Sequence, residues 1–471
     1  MPLIFGNKKM AVFSIVKLSE FEGAKRIDAE YYKPEYMWVK KLPYLMPLKK
    51  VINDIRYGLY VEPEYKEEGV NFIRALNLLN FWIDGEVLKI DKDKVPNDYR
   101  LKVGDCLIVR SGANTGSIGF IFPKFQNSTF GSYTIKISFN KVSPAFGAIF
   151  LASKYGLSQA IRLKTGSAQL NLNIPNINKI NIPILSKNIQ KEVESRSWQI
   201  YKLQELSQSR YSQAENLLLE ELGLKDFKPK YEKTYIANLS DAFSAHRIDA
   251  EYFQPAYEEV IKKLKENNVE LKPLKKFILS IQKGIEPGSE KYQDEGKPFI
   301  RVSNISIHGF IDRDPKYLSE ELYQQLRETY EPKQGDFLLT KDATPGIAYV
   351  VKEPIEGIIA SGILKLQINE SEINKEYLAL CINSLIGKMQ IERDGGGSVI
   401  IHWKPAQIKR LKIPIIALEI QQKIAELVQK SHESRRKAKE LFEIAKRTVE
   451  IAIENNEKEA LDFISQNSDR Y

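Results

Sequence analysis

The chain has 471 residues, of which 43% are hydrophobic and 28% charged, and a formal net charge of +9. That length exceeds one ordinary core and that balance excludes a disordered or fibrous chain, and no apolar run is long enough for a signal or membrane helix, so a cytoplasmic protein of several domains is expected. The two cysteines, Cys106 and Cys381, give neither a disulfide framework nor a metal spacing, and the positive excess points to a polyanion such as nucleic acid.

Followed along the chain, the sequence says the same things twice. SIVKLSEFEGAK (14–25) returns as YIANLSDAFSAH (235–246), and RIDAEYY (26–32) as RIDAEYF (247–253), 221 residues later. PLKK at 47–50 returns at 273–276, and FIRALN (72–77) as FIRVSN (299–304). VGDCLIVRSGANTG (103–116) returns as QGDFLLTKDATPG (334–346). TGSAQLNLNIPNINKINIPI (165–184) answers GGSVIIHWKPAQIKRLKIPI (396–415). So long a period is a duplicated domain and not a solenoid unit.

Each half reads as short strands broken by turn residues, then a long helix. The strands include DCLIVRSG, SIGFIF and YTIKISF in the first half, and DFLLTKD, IAYVV and ILKLQI in the second. The helices are expected from about Asn188 to Leu222 and from Leu418 to about Asn455, with neither Pro nor Gly inside. Seven-residue spacing links Ile424, Ser431, Ala438 and Ala445, and also Leu427, Ser434, Leu441 and Thr448. In the first helix it links Val193, Ile200 and Ala214, with Leu203 and Leu217 as the second line. Half-polar seams of this kind predict that the two helices pair with each other.

Catalytic chemistry is hard to find. The four histidines are dispersed and form no metal-spaced pair. GANTGSIG (112–119) lacks the Lys-Ser/Thr of a phosphate loop and reads as a β-turn. RDPKY (313–317) approaches an amino-methyltransferase tetrapeptide but lacks its second Pro and a cofactor loop upstream. In RIDAEY, a helical reading pairs Arg26 with Glu30 and Arg247 with Glu251, cementing a joint.

These residues together resemble the specificity (S) subunit of type I restriction–modification systems, over essentially the full length. The resemblance rests on the twofold layout, the R-x-D-A-E-Y-[YF]-x-P joint, the Gly-Asp strands and the Gly-Ser…Ile-Pro-Ile run into a long helix. It implies an α+β fold: two β-rich target recognition domains joined by two long antiparallel helices forming a coiled coil, with a pseudo-twofold internal duplication. The implied boundaries are 14–186 and 235–417 for the recognition domains, and 187–223 and 418–455 for the helical spacers. It implies a non-catalytic, sequence-specific DNA-binding subunit that reads a bipartite double-stranded target, with no membrane association. Two modification (methyltransferase) subunits and the restriction (motor–nuclease) subunits would dock on it. S-adenosylmethionine, ATP and Mg2+ would belong to those partners, and neither cofactor nor metal to this chain. A stand-alone bivalent DNA-binding scaffold or regulator, and an adenine methyltransferase with an unrecognised active site, are the alternatives.

Turn and strand-end residues are the candidates for reaching DNA. In the first half they are Tyr60, Arg74, Asn77, Arg110, Ser111, Asn114, Thr115, Gln169, Asn171 and Asn173. In the second they are Lys283, Arg301, Asn304, Lys341, Asp342, Thr344, His402 and Lys404. Arg26, Asp28, Glu30, Arg247, Asp249 and Glu251 are the candidates for the structural joint.

Overall fold

Short strands alternate with helices in two compact units. The first draws on the chain up to Lys202 and again from Lys437 onward; the second is Leu203–Arg436. The computed structural model describes residues 14–19, 21, 26–34, 36, 44–60, 64–79, 81–112, 114–165, 171–395 and 402–467, with the side chain of Glu30 outside that set. No helix among the described residues is long and apolar enough to cross a membrane.

The first unit contains β1 (Ile52–Tyr57), β2 (Tyr65–Lys66), β3 (Val70–Ile73), β4 (Leu88–Ile90), β5 (Cys106–Val109), β6 (Ile118–Phe120), β7 (Thr129–Phe130) and β8 (Thr134–Phe139). They form two sheets, in the orders β1-β8-β5-β6 and β7-β3-β4-β2. All four residues of β5 are buried, as suits a central strand without polar alternation. Helices α1 (Pro144–Ala152) and α2 (Lys154–Arg162) follow, and then α3 (Lys187–Glu221).

The second unit repeats this plan. After α4 (Ala256–Glu266) come β9 (Ile278–Lys283), β10 (Lys297–Ile300), β11 (Lys316–Leu318), α5 (Glu320–Tyr330), β12 (Phe337–Thr340), β13 (Ala348–Val350), β14 (Ile358–Ile359) and β15 (Ile363–Ile368). The sheets run β9-β15-β12-β13 and β11-β10-β14. Helices α6 (Lys375–Asn383), α7 (Leu385–Gly395) and α8 (Leu418–Glu454) complete it. In both units the strand before the first large sheet pairs with the Ile-Pro-Ile strand: Leu45–Pro47 with Asn181–Pro183, and Glu270–Pro273 with Lys412–Ile415. The entry and exit of each strand-rich body are therefore stitched together beside a long helix.

One of the repeated motifs has a local backbone explanation. In the Gly-Asp turns, Gly104 and Gly335 take φ of 93° and 86°, which a Cβ disfavours. The carboxylates of Asp105 and Asp336 then accept from the N–H of Lys102 and Lys333, each at 2.8 Å. A second glycine pair, Gly58 and Gly284, is fixed by close approach of backbone. A Cβ on Gly58 would stand 2.1 Å from the Gly131 oxygen, and one on Gly284 2.2 Å from the Ala360 oxygen, so the residue after β1 and after β9 must be glycine.

The long helices meet inside each unit, and they run antiparallel. In the first unit Trp198 and Tyr201 of α3 pack on Phe122, which touches Phe81, which stacks on Phe442 of α8. In the second, the hydroxyls of Ser207 and Ser431 are 3.1 Å apart, and Arg210 donates to the Ser434 hydroxyl at 2.7 Å. Val193, Ile200, Ala214, Ile424, Ser431, Ala438 and Ala445 are all buried, as the spacing required. The second line of α3 needs correcting. Leu203 and Leu217 are only half-buried; the buried line is Ser197, Gln204 and Leu218, with Tyr211 between them. It escaped notice because two of its members are polar.

Candidate nucleic-acid interface

In both units, the turn that follows the Gly-Asp strand lies against the segment preceding the Ile-Pro-Ile strand. Leu172 N–H donates to Arg110 O, and Trp403 N–H to Lys341 O, both at 2.8 Å. Ser111 bridges Asn171 in the first unit, and Asp342 bridges His402 in the second. One corner of backbone is thus built twice, with different side chains on it.

The first corner carries an uncompensated cation. The Arg110 guanidinium lies 4.7 Å from the centroid of Tyr57 and enters no ion pair among the described residues. Its Nε is buried without a hydrogen-bond partner. Tyr57 is fixed in turn by the N–H of Ile174, which donates to its hydroxyl at 3.2 Å. The second corner neutralises itself. Lys341 pairs with Asp342, whose other oxygen meets His402 Nδ1 at 2.8 Å. Burial pushes the Asp342 carboxyl up, but Lys341 and His402 outweigh it and hold the group below the usual carboxylate range.

The remaining candidates separate into surface and scaffold. Tyr60, Lys283, Thr344, His402 and Lys404 are exposed, and Tyr60 almost wholly so. Asn114 is half-buried. Ser111 is buried at the bridge, and Thr115 is buried with its hydroxyl on Gly112 O at 2.6 Å. Asn171 pairs with Thr165 through the backbone. Asn173 caps a short helix by accepting from Asn176 N–H at 2.9 Å. Gln169 lies outside the described residues.

Asn77 and Asn304 are corrections: they are buried latches and not surface readers. Asn77 accepts from Arg74 N–H at 3.0 Å and donates to Asp84 O and Glu86 O at 3.1 and 2.9 Å. Asn304 accepts from Arg301 N–H at 3.1 Å and donates to Ile311 O and Arg313 O at 3.3 and 2.6 Å. This common latch is what the repeated F-I-R-x-x-N encodes. Arg74 leans over Tyr65, 5.7 Å from its centroid, with Nη2 3.4 Å from Glu86 O. Arg301 pairs with Asp314 at 3.0 Å, so the Asp of RDPKY is an ion-pair partner of the latch.

The RIDAEY joint is also built differently from the helical reading. Residues Ala29–Tyr32 and Glu251–Phe253 are 3-10 turns, so residues four apart do not share a face. Arg26 pairs with Asp28 and Arg247 with Asp249, both at 2.7 Å, while Glu251 takes the Tyr257 hydroxyl. Tyr31 is sandwiched between Arg26 and Arg162, whose guanidinium carbons stand 4.6 and 4.2 Å from its centroid. Tyr252 is held the same way by Arg247 and Arg393, at 4.6 and 4.5 Å. Arg162 and Arg393 were missed in the sequence. They end α2 and lie near the end of α7, the helices that lead towards the Gly-Ser segments and the corners.

The family described as the type I restriction modification DNA specificity domain matches residues 59–216 and 266–440. The chain belongs to that family. Its two matched regions fall one in each repeat. Among solved structures it is similar to a type I restriction–modification S subunit from M. genitalium, at 14% identity over 86% of this chain and 94% of that one, with a TM-score of 0.39. It is similar too to the HsdS subunit from Thermoanaerobacter tengcongensis, at 14% identity over 88% and 96%, with a TM-score of 0.29. No curated protein matches the chain.

Proposed function

We propose that this chain is the DNA-reading S subunit of a type I restriction–modification complex, each unit reading one half of a bipartite duplex target. The observation that carries the reading is the twice-built corner. Its backbone is the same in both units, while its side chains are Arg110, Ser111 and Asn171 in one and Lys341, Asp342 and His402 in the other. Arg suits the paired acceptors of guanine, and a carboxylate accepts from the cytosine amino group, so the two half-sites should differ.

The chain itself supplies no catalytic step in this reading and works in the cytoplasm. Methyl transfer with S-adenosylmethionine, and ATP- and Mg2+-dependent translocation and cleavage, fall to two docked methyltransferase subunits and to motor–nuclease subunits. Three large apolar residues in each repeat support a partner that binds twice. Ile15, Leu18 and Ile27 correspond position for position to Ile236, Leu239 and Ile248, and every one is at least 69% exposed.

Three experiments test the proposal. Replacing residues 30–180 by the matching stretch of another family member should change one methylated half-site, read by single-molecule sequencing of host DNA. A change in both half-sites would sink the reading. Changing Ile236 and Ile248 to serine should weaken co-purification with the methyltransferase subunits; full retention would remove this surface from the docking site. Four residues inserted after Gln208 in α3 add one turn, about 6 Å. The spacer between half-sites should then lengthen by about one or two base pairs with the recognised bases unchanged.

A further inference from the structure

The edge sheet of the first unit borders a groove of about 470 Å³ whose lining includes Asn71, Lys89, Lys92, Arg100, Asn127 and Ser128. Its three cations meet no carboxylate among the described residues. Lys89 Nζ donates to Glu67 O at 3.1 Å and Arg100 Nη1 to Asn127 O at 3.2 Å, both neutral carbonyls. Lys92 is exposed. The Ser128 hydroxyl is buried on the groove wall without a hydrogen-bond partner. Three positive charges, side-chain amides and an unsatisfied hydroxyl suit an anion with several oxygens.

The same place in the second unit carries acidic side chains. β10 and β14 correspond to β3 and β7, which lie beside the groove, and each pair is parallel. Two residues before β14, at the position of Asn127, stands Glu356. It pairs with Lys297, and Glu320 at the start of α5 lies 3.7 Å from the same lysine. The second unit thus supplies its own carboxylates where the first leaves its cations open.

We infer that the groove of the first unit binds phosphate oxygens of the DNA backbone flanking its half-site. This rests on the DNA-reading function proposed above. β7 leads from Ser128 out of the groove to Tyr133, whose carbonyl accepts from Arg110 N–H at 2.9 Å. Five residues of chain reach at most about 18 Å, roughly half a turn of B-DNA. A duplex seated on the corner therefore carries phosphates within range of the groove. Contacts of this kind set position and not sequence.

The test measures DNA affinity against salt for the full chain in complex with its methyltransferase subunits. The triple variant Lys89→Gln, Lys92→Gln, Arg100→Gln should bind target and scrambled duplex more weakly by the same factor. The slope of log affinity against log salt should become shallower by about 0.9 for each cation in contact. The methylated sequence should stay the same. Lys92→Gln alone, at an exposed side chain, should lower the slope by about one without disturbing the fold. In the second unit Glu320→Gln together with Glu356→Gln should free Lys297 and steepen the slope. An unchanged slope in the triple variant, with wild-type binding intact, overturns the groove. A wild-type complex that binds no DNA overturns the DNA-reading function instead. Inorganic phosphate is the second probe. If it raises the unfolding temperature of wild type but not of the triple variant, while the DNA slope is unchanged, the groove takes free phosphate and the assignment to DNA is wrong.

Discussion

The two units share a backbone plan and part company in how they treat their own positive charge. At the corner, Arg110 of the first unit meets no carboxylate among the described residues, whereas the second pairs Lys341 with Asp342. At the edge sheet, Lys89, Lys92 and Arg100 of the first unit meet no carboxylate among the described residues, whereas the second meets Lys297 with Glu356 and Glu320. Even the latch arginines differ: Arg301 has Asp314, whereas among the described residues Arg74 meets a carbonyl and a ring. Duplication kept what holds the fold and let go of what faces outward. The difference teaches that the residue holding the fold and the residue carrying the charge can be separate even within one short motif, as Asn77 and Arg74 are.

The comparison can be broken most severely at what the units share. Asn77→Ala and Asn304→Ala each remove one buried acceptor and two donors, and each should lower stability by about 2–4 kcal/mol. Chemical denaturation should give similar losses for the two, and a large loss at one with none at the other would show the latches are not equivalent. The next effect is on binding. Arg110→Ala should weaken specific DNA binding by about 1–3 kcal/mol and relax one position of one half-site. Lys341→Ala should do less, since its charge is already neutralised, and equal losses would erase the electrostatic contrast.

A third effect belongs to the second unit alone. His432 of α8 is buried, facing His308 at 6.4 Å between ring centroids, with Tyr349 beside it. Burial first, then Lys352, His308 and Arg435, hold its pKa well below the ordinary histidine value. The unfolded chain therefore takes up a proton near pH 6.5 that the folded chain refuses, and stability present above that pH falls as the solution is acidified. The slope due to His432 should be at most about 1.4 kcal/mol per pH unit. Denaturation from pH 7 to 5 should show a flatter dependence in His432→Gln; an unchanged slope would mean the ring titrates normally. The smallest effect sharpens the corner itself. Ser111→Asp gives Arg110 the carboxylate that Lys341 has, and should weaken DNA binding by under about 1 kcal/mol. No loss in binding assays would show that Arg110 lies away from the duplex.

Much of this architecture was legible because the sequence repeats itself. Strands such as Cys106–Val109 and Phe337–Thr340 carry apolar runs between turn residues, and α3 and α8 carry a seven-residue spacing without breakers. Helices α1 and α6 were not legible. PAFGAIFLA is buried on nearly every side, so its apolar residues show no period to read. KEYLALCIN is buried at all but its first residue, for the same reason. The polar line of α3 was hidden because Ser197 and Gln204 do not look like core. At the candidate site, the turn residues pointed to the corner, but partners distant in sequence did not declare themselves. Arg162 reaches Tyr31 across 131 residues, and nothing local marks it. Asn77 and Asn304 read as surface residues in the sequence because an Asn in a loop looks the same whether its amide faces solvent or holds the loop shut.

The corner is held by main-chain bonds, from Leu172 to Arg110 and from Trp403 to Lys341. Such a clasp does not depend on which side chains it displays. If the corner reads bases as proposed, genetic drift at positions 110, 111 and 171, or at 341, 342 and 402, can therefore change what it displays without breaking the main-chain bonds that hold it. A host under pressure from new invading DNA would have an address label that can be rewritten by point changes. A laboratory library confined to those six positions should yield folded proteins at a high rate and new target sequences among them.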